Sequence, residues 1–305
     1  MTALLRALIV LLALAGQVQA RCEGVVPGQR PQNTAREFVG QTLDEIVERG
    51  FIEIAVYENF PPYSWDAAGE PQGVDVDVGR IIAQAVGVEA RFRFVQAGET
   101  LPADLQNYVW QGAAVGGHVS NLMLRVPYNS EFTCRVEQVV FTGQYAGEKV
   151  AIAYALAAYP DAIPGATTEG RHEGAPVPAF FRYDTVGVEN DSISDFYLSS
   201  TIGATATIHR FKTAGLAMQA LKAGEVMAVM GPLSELEFGA GDGVRVHTPP
   251  LPGFALGTWT LGLAVHHSHR DLGYAVDDAV AAGLADGRIA AAYAAHGLDF
   301  TPPVR

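Results

Sequence analysis

Apolar and polar positions along the chain follow the two periods of regular secondary structure. FIEIAVY (51–57) has the apolar run of a buried strand, and RFRFV (91–95) alternates as a strand with one solvated face does. Between them, DVDVGRIIAQAVGVE has apolar residues at helical spacing and predicts a helix that ends near Gly87. AAVGG predicts a short strand that ends in paired glycines, and the region 118–138 after it is less regular. VVFTGQY (139–145) and EKVAIAYAL (148–156) are two extended segments, and TVGVEND, TATIHRF and EVMAVMG are later strands with predicted helices between them. This order predicts an α/β fold of mostly parallel sheets flanked by helices.

Two loop-rich crossings, near 142–148 and 243–252, divide this pattern. We predict two lobes joined by two crossing strands. One lobe covers 51–142 plus 249–305, and the other covers 143–248. Ligands of open α/β sheets bind beyond the carboxyl ends of the strands, so the expected site lies between the lobes.

The first twenty residues have the pattern of a secretory signal peptide. Arg6 precedes the apolar run ALIVLLALA, and the small-residue pattern VQA ends at Ala20, after which we predict cleavage. An uncleaved N-terminal anchor is the alternative. The sequence before Cys22 departs from a lipobox, which disfavours a lipid anchor. No other run reaches the roughly 18–20 apolar residues of a membrane span.

Residues 21–50 are predicted to be an N-terminal extension. Thr42 and Glu45 within it have the spacing of a capping box at the start of a short helix. Cys22 and Cys134 are the two cysteines of the chain. In an exported protein they predict one disulfide, which would hold the extension against the body, and two free buried thiols are the alternative.

The charge of the chain disfavours nucleic acid and anionic lipid as partners. The 305 residues include 20 Lys and Arg against 33 Asp and Glu. Removal of Arg6 with the leader leaves 19 − 33 = −14. About 285 mature residues suffice for one large or two modest domains with a real core.

An aromatic loop follows the first strand and is the first candidate ligand surface. Tyr57, Phe60, Tyr63 and Trp65 flank a Pro-Pro pair that stiffens the loop. Large rigid rings cover a ligand at low entropic cost. A packed hydrophobic loop without ligand contact is the alternative.

Two further segments are candidates for ligand contact. Gly117, the second of two paired glycines, lets a ligand approach the backbone, and His118 stands beside it; a simple turn and a core histidine are the alternatives. Ser192 and Ser194 stand at a predicted helix N-terminus, where free N–H groups favour a carboxylate, although Asp191 adds negative charge there.

Other polar clusters do not lead us to predict catalysis, a metal or a cofactor. Asp75 and Asp77 are interpreted as residues that hold a loop or cap a helix. Patterns of serine hydrolases, β-lactamases, zinc proteases and P-loop proteins are not found in the sequence, and we expect a protein that is not an enzyme.

Four segments in order resemble the type II periplasmic solute-binding proteins, family 3, which include amino-acid receptors of ABC importers. The resemblance runs from about 51 to 300 and rests on FIEIAVYENFPPYSW…GVDVDVGRIIAQAVG, VEQVVFTGQYAGE, TVGVENDSISDFYL and GLADGRIAAAYAAHGLD. It implies a two-lobed periplasmic protein that closes around a small solute and docks on an ABC permease. It also implies that the His266-His267-Ser268-His269 run lies in a charged, solvated turn rather than in a metal site.

The resemblance also assigns roles to two positions. It implies that Arg135 holds a ligand carboxylate; Arg125 competes for that role, and an ion pair of Arg135 with Glu137 is the alternative. Where the amino-acid receptors have an aspartate for the ligand ammonium, this chain has Pro232, which has no charge and no N–H. Glu235 follows three residues later and is expected on the next helix.

A looser resemblance extends to binding-protein-like accessory proteins of pyrroloquinoline-quinone (PQQ) methanol and alcohol dehydrogenases. It rests on Asn107, Tyr108 and Trp110, on Val-Pro-Tyr at 126–128, on Glu-Gln-Val-Val at 137–140 and on a Gly-Pro-Leu turn. It implies a periplasmic quinoprotein dehydrogenase as partner. These features favour the accessory role slightly over import of an amino acid or carboxylate by an ABC permease.

Overall fold

The computed structural model describes residues 22, 25, 40–115, 117–128, 130–160, 175–203, 205, 207–251 and 253–304. The predicted signal peptide and most of the N-terminal extension lie outside these residues. None of the helices in the described part has the length and apolarity needed to cross a membrane.

The described strands alternate with helices, as the sequence predicts. The strands are β1 (Phe51–Tyr57), β2 (Trp65–Ala67), β3 (Glu70–Gln72), β4 (Glu89–Val95), β5 (Leu122–Tyr128), β6 (Val139–Ala155), β7 (Thr185–Glu189), β8 (Thr207–Phe211), β9 (Ala228–Pro232), β10 (Val244–His247) and β11 (Thr258–His266). The α-helices are α1 (Leu43–Arg49), α2 (Val74–Val86), α3 (Leu101–Leu105), α4 (Ser130–Arg135), α5 (Ile193–Thr201), α6 (Ala214–Ala223), α7 (Leu233–Gly239), α8 (Arg270–Ala285) and α9 (Arg288–Ala295). A π-helical turn, Gln106–Trp110, continues α3.

The main sheet has the strand order β4-β1-β5-β11-β6-β9-β7-β8, and β10 also pairs with β6. The outer strands of each lobe are parallel: β1 pairs with β4 and β5, and β7 pairs with β8 and β9. The inner strands β11, β6 and β9 pair antiparallel. The fold is therefore the two-lobed α/β architecture predicted, with mixed rather than mostly parallel pairing.

Strand β6 belongs to both lobes. It pairs with β11 up to Lys149 and with β9 from Val150 onward. Sequence reasoning divided this region into two extended segments, whereas the structure has one strand of 17 residues. The change of partner between these two neighbouring residues marks the crossing between the lobes.

Each lobe has its own core. In the first, α2, α8 and α9 cover one face of the sheet with side chains such as Ile54, Ile82 and Val276. In the second, separate buried clusters lie around Ile152 and around Met218. Trp259 packs against both the first-lobe core and the Ile152 cluster, so the crossing itself is packed.

Two local predictions at the N-terminal side are confirmed. The Thr42 hydroxyl accepts a hydrogen bond from the Glu45 amide, and the Glu45 carboxylate accepts one from the Thr42 amide, which is the reciprocal geometry of a capping box. Cys22 and Cys134 form a disulfide with an S–S distance of 2.09 Å. This bond ties residue 22 of the extension to α4.

Sequence reasoning about 113–138 was wrong in detail. The paired glycines were expected to end a short strand, and the following residues were expected to be irregular. The strand β5 instead begins at Leu122, after the glycines, and α4 follows it. Arg125 and Pro127 interrupt the apolar run LMLRVPY, and the strand exists because β1 and β11 pair with it on both sides.

Candidate ligand-binding site

Strands of both lobes end at the boundary between them. The parallel strands β1 and β7 end at Tyr57 and Glu189, and β9 ends at Pro232. Helix α7 begins directly after β9. These ends and the crossing strand β6 bring charged side chains of the two lobes together.

Arg125 provides the positive charge of this region, and a β-bulge orients it. Gly262 pairs with Val126 and Leu263 pairs with Leu124, so Arg125 is the extra residue in β5. Its φ of 60° lies in the left-handed region, which costs a non-glycine residue on the order of 1–3 kcal/mol. Bulges of this kind re-aim side chains next to functional sites.

The Arg125 guanidinium is paired with Asp75 at the start of α2. Its Nε donates to Asp75 Oδ2 at 2.6 Å, and its Nη2 donates to Oδ1 at 3.2 Å. Only 7% of Arg125 and 1% of Asp75 is exposed. Burial lowers the pKa of Arg125, but Asp75 and the neighbouring tyrosines together raise it by more, and the net pKa lies well above the usual value. The pair is a fixed, desolvated ion pair.

Three tyrosines surround the pair. The guanidinium lies over the Tyr63 ring, with its carbon 3.2 Å from the ring centre, and the Tyr145 hydroxyl donates to Asp75 Oδ1 at 2.8 Å. The Tyr293 hydroxyl is buried beside the Arg125 guanidinium, and it makes no hydrogen bond of good geometry in the described part of the chain. Burial raises the pKa of Tyr293, while the nearby charge of Arg125 lowers it. An unpartnered hydroxyl therefore lies beside the ion pair.

Gly73 brings the aromatic loop into this arrangement. Its φ is 117°, and a Cβ atom at this position would lie 2.2 Å from the carbonyl oxygen of Tyr63. The same carbonyl accepts a hydrogen bond from the Asp75 amide at 2.9 Å. Any side chain at Gly73 would push the Tyr63 loop away from α2, and with it the ring that covers Arg125.

Carboxylates from three elements of the crossing and the second lobe lie near this pair or near one another. Glu148 of β6 is 3% exposed and accepts a hydrogen bond from the Tyr63 hydroxyl at 3.0 Å. Glu189 lies at the end of β7, and Glu235 lies in the first turn of α7. Burial and the charges of Glu189 and Glu148 raise the pKa of Glu235 to about 8, although Arg125 acts in the opposite direction. We call Arg125, Asp75, Glu148, Glu189 and Glu235 the interlobe charge cluster.

The lobes also touch beside this cluster. The Trp65 ring of the first lobe lies 5.9 Å from the Phe238 ring of α7. The Asp299 amide donates to the Glu237 carboxylate at 3.0 Å. Burial raises the pKa of Glu237 to about 7, while the hydrogen bond from Asp299 lowers it. The first turns of α7 therefore form the second-lobe side of the boundary.

The predicted aromatic residues are close together in the structure. Tyr57 and Tyr63 lie 6.1 Å and 4.9 Å from Phe60, measured between ring centres. The Tyr57 hydroxyl donates to Asp104 at 2.7 Å, so its polar end is held within the first lobe. Tyr63 contacts Arg125 and Glu148 of the interlobe charge cluster, and Trp65 belongs to the contact between the lobes.

Gly117 and His118 lie near the amino-terminal ends of the first-lobe strands, opposite to the lobe boundary. They precede β5, and His118 Nε2 lies 2.9 Å from Glu53 near the start of β1. A Cβ atom on Gly117 would lie 2.1 Å from the Ala113 amide nitrogen, so this glycine allows a tight turn against its own chain. The structure does not bring either residue to the interlobe charge cluster.

The remaining predicted site residues have separate locations. Ser192 is the N-cap of α5 and accepts from the Asp195 amide at 3.1 Å, and Ser194 is buried in the first turn. Arg135 is exposed at the end of α4. Pro232 pairs with Val150 at the crossing and forms the N-cap of α7.

Sequence reasoning gave too little weight to the charges within apolar strands. Arg125 and Glu148 each interrupt an apolar run, and such a residue needs a partner once it is buried. That signal could have identified both positions. Asp75 was interpreted as structural, and nothing in the sequence pairs it with a residue 50 positions away.

A separate pocket of about 420 Å³ lies between β6 and α8. Its walls include Tyr128, Gln144, Arg270 and Asp277. The Asp277 carboxylate is already used by the Gly143 amide at 3.1 Å, and none of the pocket residues belongs to the interlobe charge cluster. We therefore assign the candidate site to the lobe boundary.

The described residues contain no group of three or more potential metal ligands. His266 and His269 are 2% and 6% exposed, so the expectation of a solvated histidine turn was wrong. The rings of His266 and His267 lie 4.6 Å apart, and His266 Nδ1 accepts from the Ser268 amide. The run is packed into the first lobe.

Comparison with known proteins places this geometry in context. Residues 52–110 match the family described as bacterial extracellular solute-binding proteins, family 3. A comparison with curated proteins finds no significant match.

Several solved structures have the same fold. One is an ancestral cationic amino-acid solute-binding protein, with a TM-score of 0.66 and 18% identity over 84% of this chain and 100% of that chain. A second structure of that ancestral protein, described as a precursor of cyclohexadienyl dehydratase, has a TM-score of 0.57 and 18% identity over 84% and 98%. An amino-acid ABC transporter substrate-binding protein from Streptococcus pneumoniae, bound to L-arginine, has a TM-score of 0.58 and 16% identity over 86% and 100%. The chain therefore has the two-lobed fold of periplasmic solute-binding proteins, and its segment 52–110 matches family 3.

Proposed function

We propose that the chain is a periplasmic solute-binding protein of family 3 that holds a small solute between its lobes without transforming it. The observation that carries this proposal is the interlobe charge cluster. Charged side chains of both lobes converge on one partly buried region where the strand ends meet the crossing. Concave sites with a few convergent polar groups are typical of ligand-binding proteins.

The crossing gives the lobes a means of moving relative to each other. Strand β6 changes partner between Lys149 and Val150, and the second connection passes from β10 to β11. Movement at these points would open or close the boundary, as in hinged binding proteins. The contacts of Trp65 with Phe238 and of Asp299 with Glu237 would break on opening.

The partner that best suits this role is the permease of an ABC importer. One similar structure is described as an amino-acid ABC transporter substrate-binding protein, which supports the assignment. The predicted signal peptide, with cleavage after Ala20, is consistent with a periplasmic receptor. Tyr57, Phe60, Tyr63 and Trp65 remain the proposed aromatic wall of the site.

A role as accessory partner of a PQQ methanol or alcohol dehydrogenase is the second hypothesis. The specific observation in its favour is Pro232, which provides neither a charge nor an N–H at the end of β9. The carboxylates near it favour a solute receptor, since they keep the boundary polar.

A ligand screen tests the proposal. The mature chain is unfolded and refolded to remove any bound solute, and its melting temperature is then measured with amino acids, amines, carboxylates, polyols and alcohols. A ligand at about 100 times its dissociation constant adds about 2.7 kcal/mol to the unfolding free energy. Small-angle scattering should show a smaller radius of gyration with that ligand, and the ligand should be recovered unchanged.

The other outcomes separate the hypotheses. Turnover of the ligand would contradict a binding role, and one similar structure is a dehydratase precursor, so products are assayed. A flat screen together with co-elution with a quinoprotein alcohol dehydrogenase would favour the accessory role. A flat screen without that complex would contradict both.

A further inference from the structure

We infer that the interlobe site selects a small organic cation, a primary amine or guanidinium, that has no carboxylate. This inference rests on the proposed solute-binding function and narrows its ligand to one chemical class. It assigns Glu235 as the residue that receives the cation.

The first argument is the charge balance of the cluster. Asp75, Glu148, Glu189 and Glu235 provide four carboxylates against the single guanidinium of Arg125, a formal sum of −4 + 1 = −3. Arg125 is the one cation whose charge acts on Glu235 among the described residues. Burying excess charge is unfavourable unless a counter-ion or a proton compensates it.

The second argument is which of these carboxylates already have partners. The Asp75 carboxylate accepts hydrogen bonds from Arg125 and Tyr145. The Glu148 carboxylate accepts one from the Tyr63 hydroxyl, and the Glu189 carboxylate accepts one from the Ala214 amide at 3.3 Å. Glu235 has no hydrogen bond or ion pair within the described residues. In the absence of a ligand cation, a proton would relieve the excess charge, and burial together with Glu189 and Glu148 raises the pKa of Glu235 to about 8.

The third observation is independent of the carboxylates. Tyr293 is 1% exposed, and its hydroxyl, although it lies beside the Arg125 guanidinium, makes no hydrogen bond of good geometry in the described part of the chain. It lies close enough to Arg125, Asp75 and Glu148 for their charges to act on its pKa. A buried hydroxyl without a partner costs roughly 1–3 kcal/mol, and a ligand N–H donor would satisfy it.

The exclusion of carboxylates follows from the same contacts. A ligand carboxylate would need a free cation, and Arg125 is held by both oxygens of Asp75 and by the Tyr63 ring. Arg135, which the resemblance assigned to that role, is exposed at the end of α4. A carboxylate at the boundary would therefore meet net negative charge.

The experiment compares agmatine with arginine, because arginine has the same guanidinium and an added carboxylate. Titration calorimetry on the refolded chain should show agmatine binding, with arginine at least tenfold weaker. Glu235→Gln should weaken agmatine binding by about 10- to 100-fold, the loss expected for a charge-assisted hydrogen bond. Glu225→Gln, the same change at an exposed position of the second lobe, should leave the affinity unchanged.

The pH dependence provides a second readout. Because Glu235 must lose its proton to receive the cation, agmatine affinity should rise about tenfold per pH unit below the pKa of Glu235 and level off above it. Glu235→Gln should remove that rise. Circular dichroism of each variant confirms that it has folded before it is titrated.

The outcomes distinguish this inference from the proposed function. Equal binding of agmatine and arginine, or unchanged agmatine binding by Glu235→Gln, would overturn the inference. Binding of amino acids or carboxylates but of no amine would also overturn it, while leaving the solute-binding function intact. A flat response to every class of solute would contradict the proposed function itself.

Discussion

Replacing Asp75 by asparagine tests whether the Asp75–Arg125 pair is as buried and as tightly coupled as the structure shows. The change keeps the size of the side chain and removes its charge. Arg125 would then remain in a site where it is only 7% exposed, without a counter-ion. Removing one partner of a buried ion pair costs about 3–5 kcal/mol, because the other charge stays desolvated.

This loss is large compared with the roughly 5–15 kcal/mol by which most domains are stable. In a chain of this size it corresponds to a fall of roughly 6–20 °C in melting temperature. Urea unfolding followed by far-UV circular dichroism gives the free energy directly. Asp286→Asn is the matched control, because it removes the same charge from an exposed Asp–Arg pair and should have a much smaller effect.

A double-mutant cycle shows whether the cost comes from the unpaired charge. Arg125→Met alone leaves Asp75 uncompensated, whereas Asp75→Asn with Arg125→Met leaves no charge at all. The double variant should therefore lose less stability than the sum of the single losses, by at least about 1 kcal/mol. Additive losses, or an Asp75→Asn cost below about 1 kcal/mol, would refute the buried-pair reasoning.

Three further predictions concern stability. The pKa of Glu235 is raised to about 8 in the folded chain, so the folded chain keeps a proton that the unfolded chain releases above about pH 4.5. The free energy of unfolding should therefore fall as pH rises toward 8, by up to about 1.4 kcal/mol per pH unit. Glu235→Gln should flatten this slope in unfolding titrations. Replacing Cys22 and Cys134 by serine opens a loop of 112 residues and should cost at most about 5 kcal/mol, and an unchanged urea midpoint would contradict a stabilising bond. Gly79→Ala places a Cβ 2.6 Å from the Phe92 ring and should cost about 1–3 kcal/mol by calorimetry, whereas the exposed helical control Gly215→Ala should not destabilise.

The architecture could be predicted because it depends on local periodicity. Strand β1 and helix α2 have the periods of their elements, and Thr42 with Glu45 forms the capping box that their spacing predicts. Strand β5 was missed because its pattern is not local. Arg125 occupies a bulge that exists only through the pairing with β11, and a bulge interrupts the period of two.

The candidate site was harder to predict because its contacts connect distant residues. Arg125 forms an ion pair with Asp75, 50 positions away in the sequence, and Tyr63 donates a hydrogen bond to Glu148, 85 positions away. A charge in an apolar strand indicates that a partner exists, but only the fold determines which one. Gly117 and His118 show the opposite error. Their residue types suggested ligand contact, but they lie near the amino-terminal ends of the strands, away from the interlobe charge cluster.

Pro232 and Glu235 show how a binding function can change position within a fold without altering it. Proline suits the end of β9, because its φ of −61° matches the ring constraint and the N-cap position of α7 needs no N–H donor. Residues three apart lie on the same face of a helix, about 4.5 Å apart along its axis, so Glu235 lies nearly one turn further along α7 than a carboxylate at position 232 would. There it is close enough to Arg125 and Glu148 for their charges to act on its pKa. In our proposal the acidic group is therefore relocated rather than lost, and a receptor with the amino-acid-binding fold becomes selective for a cation without a carboxylate.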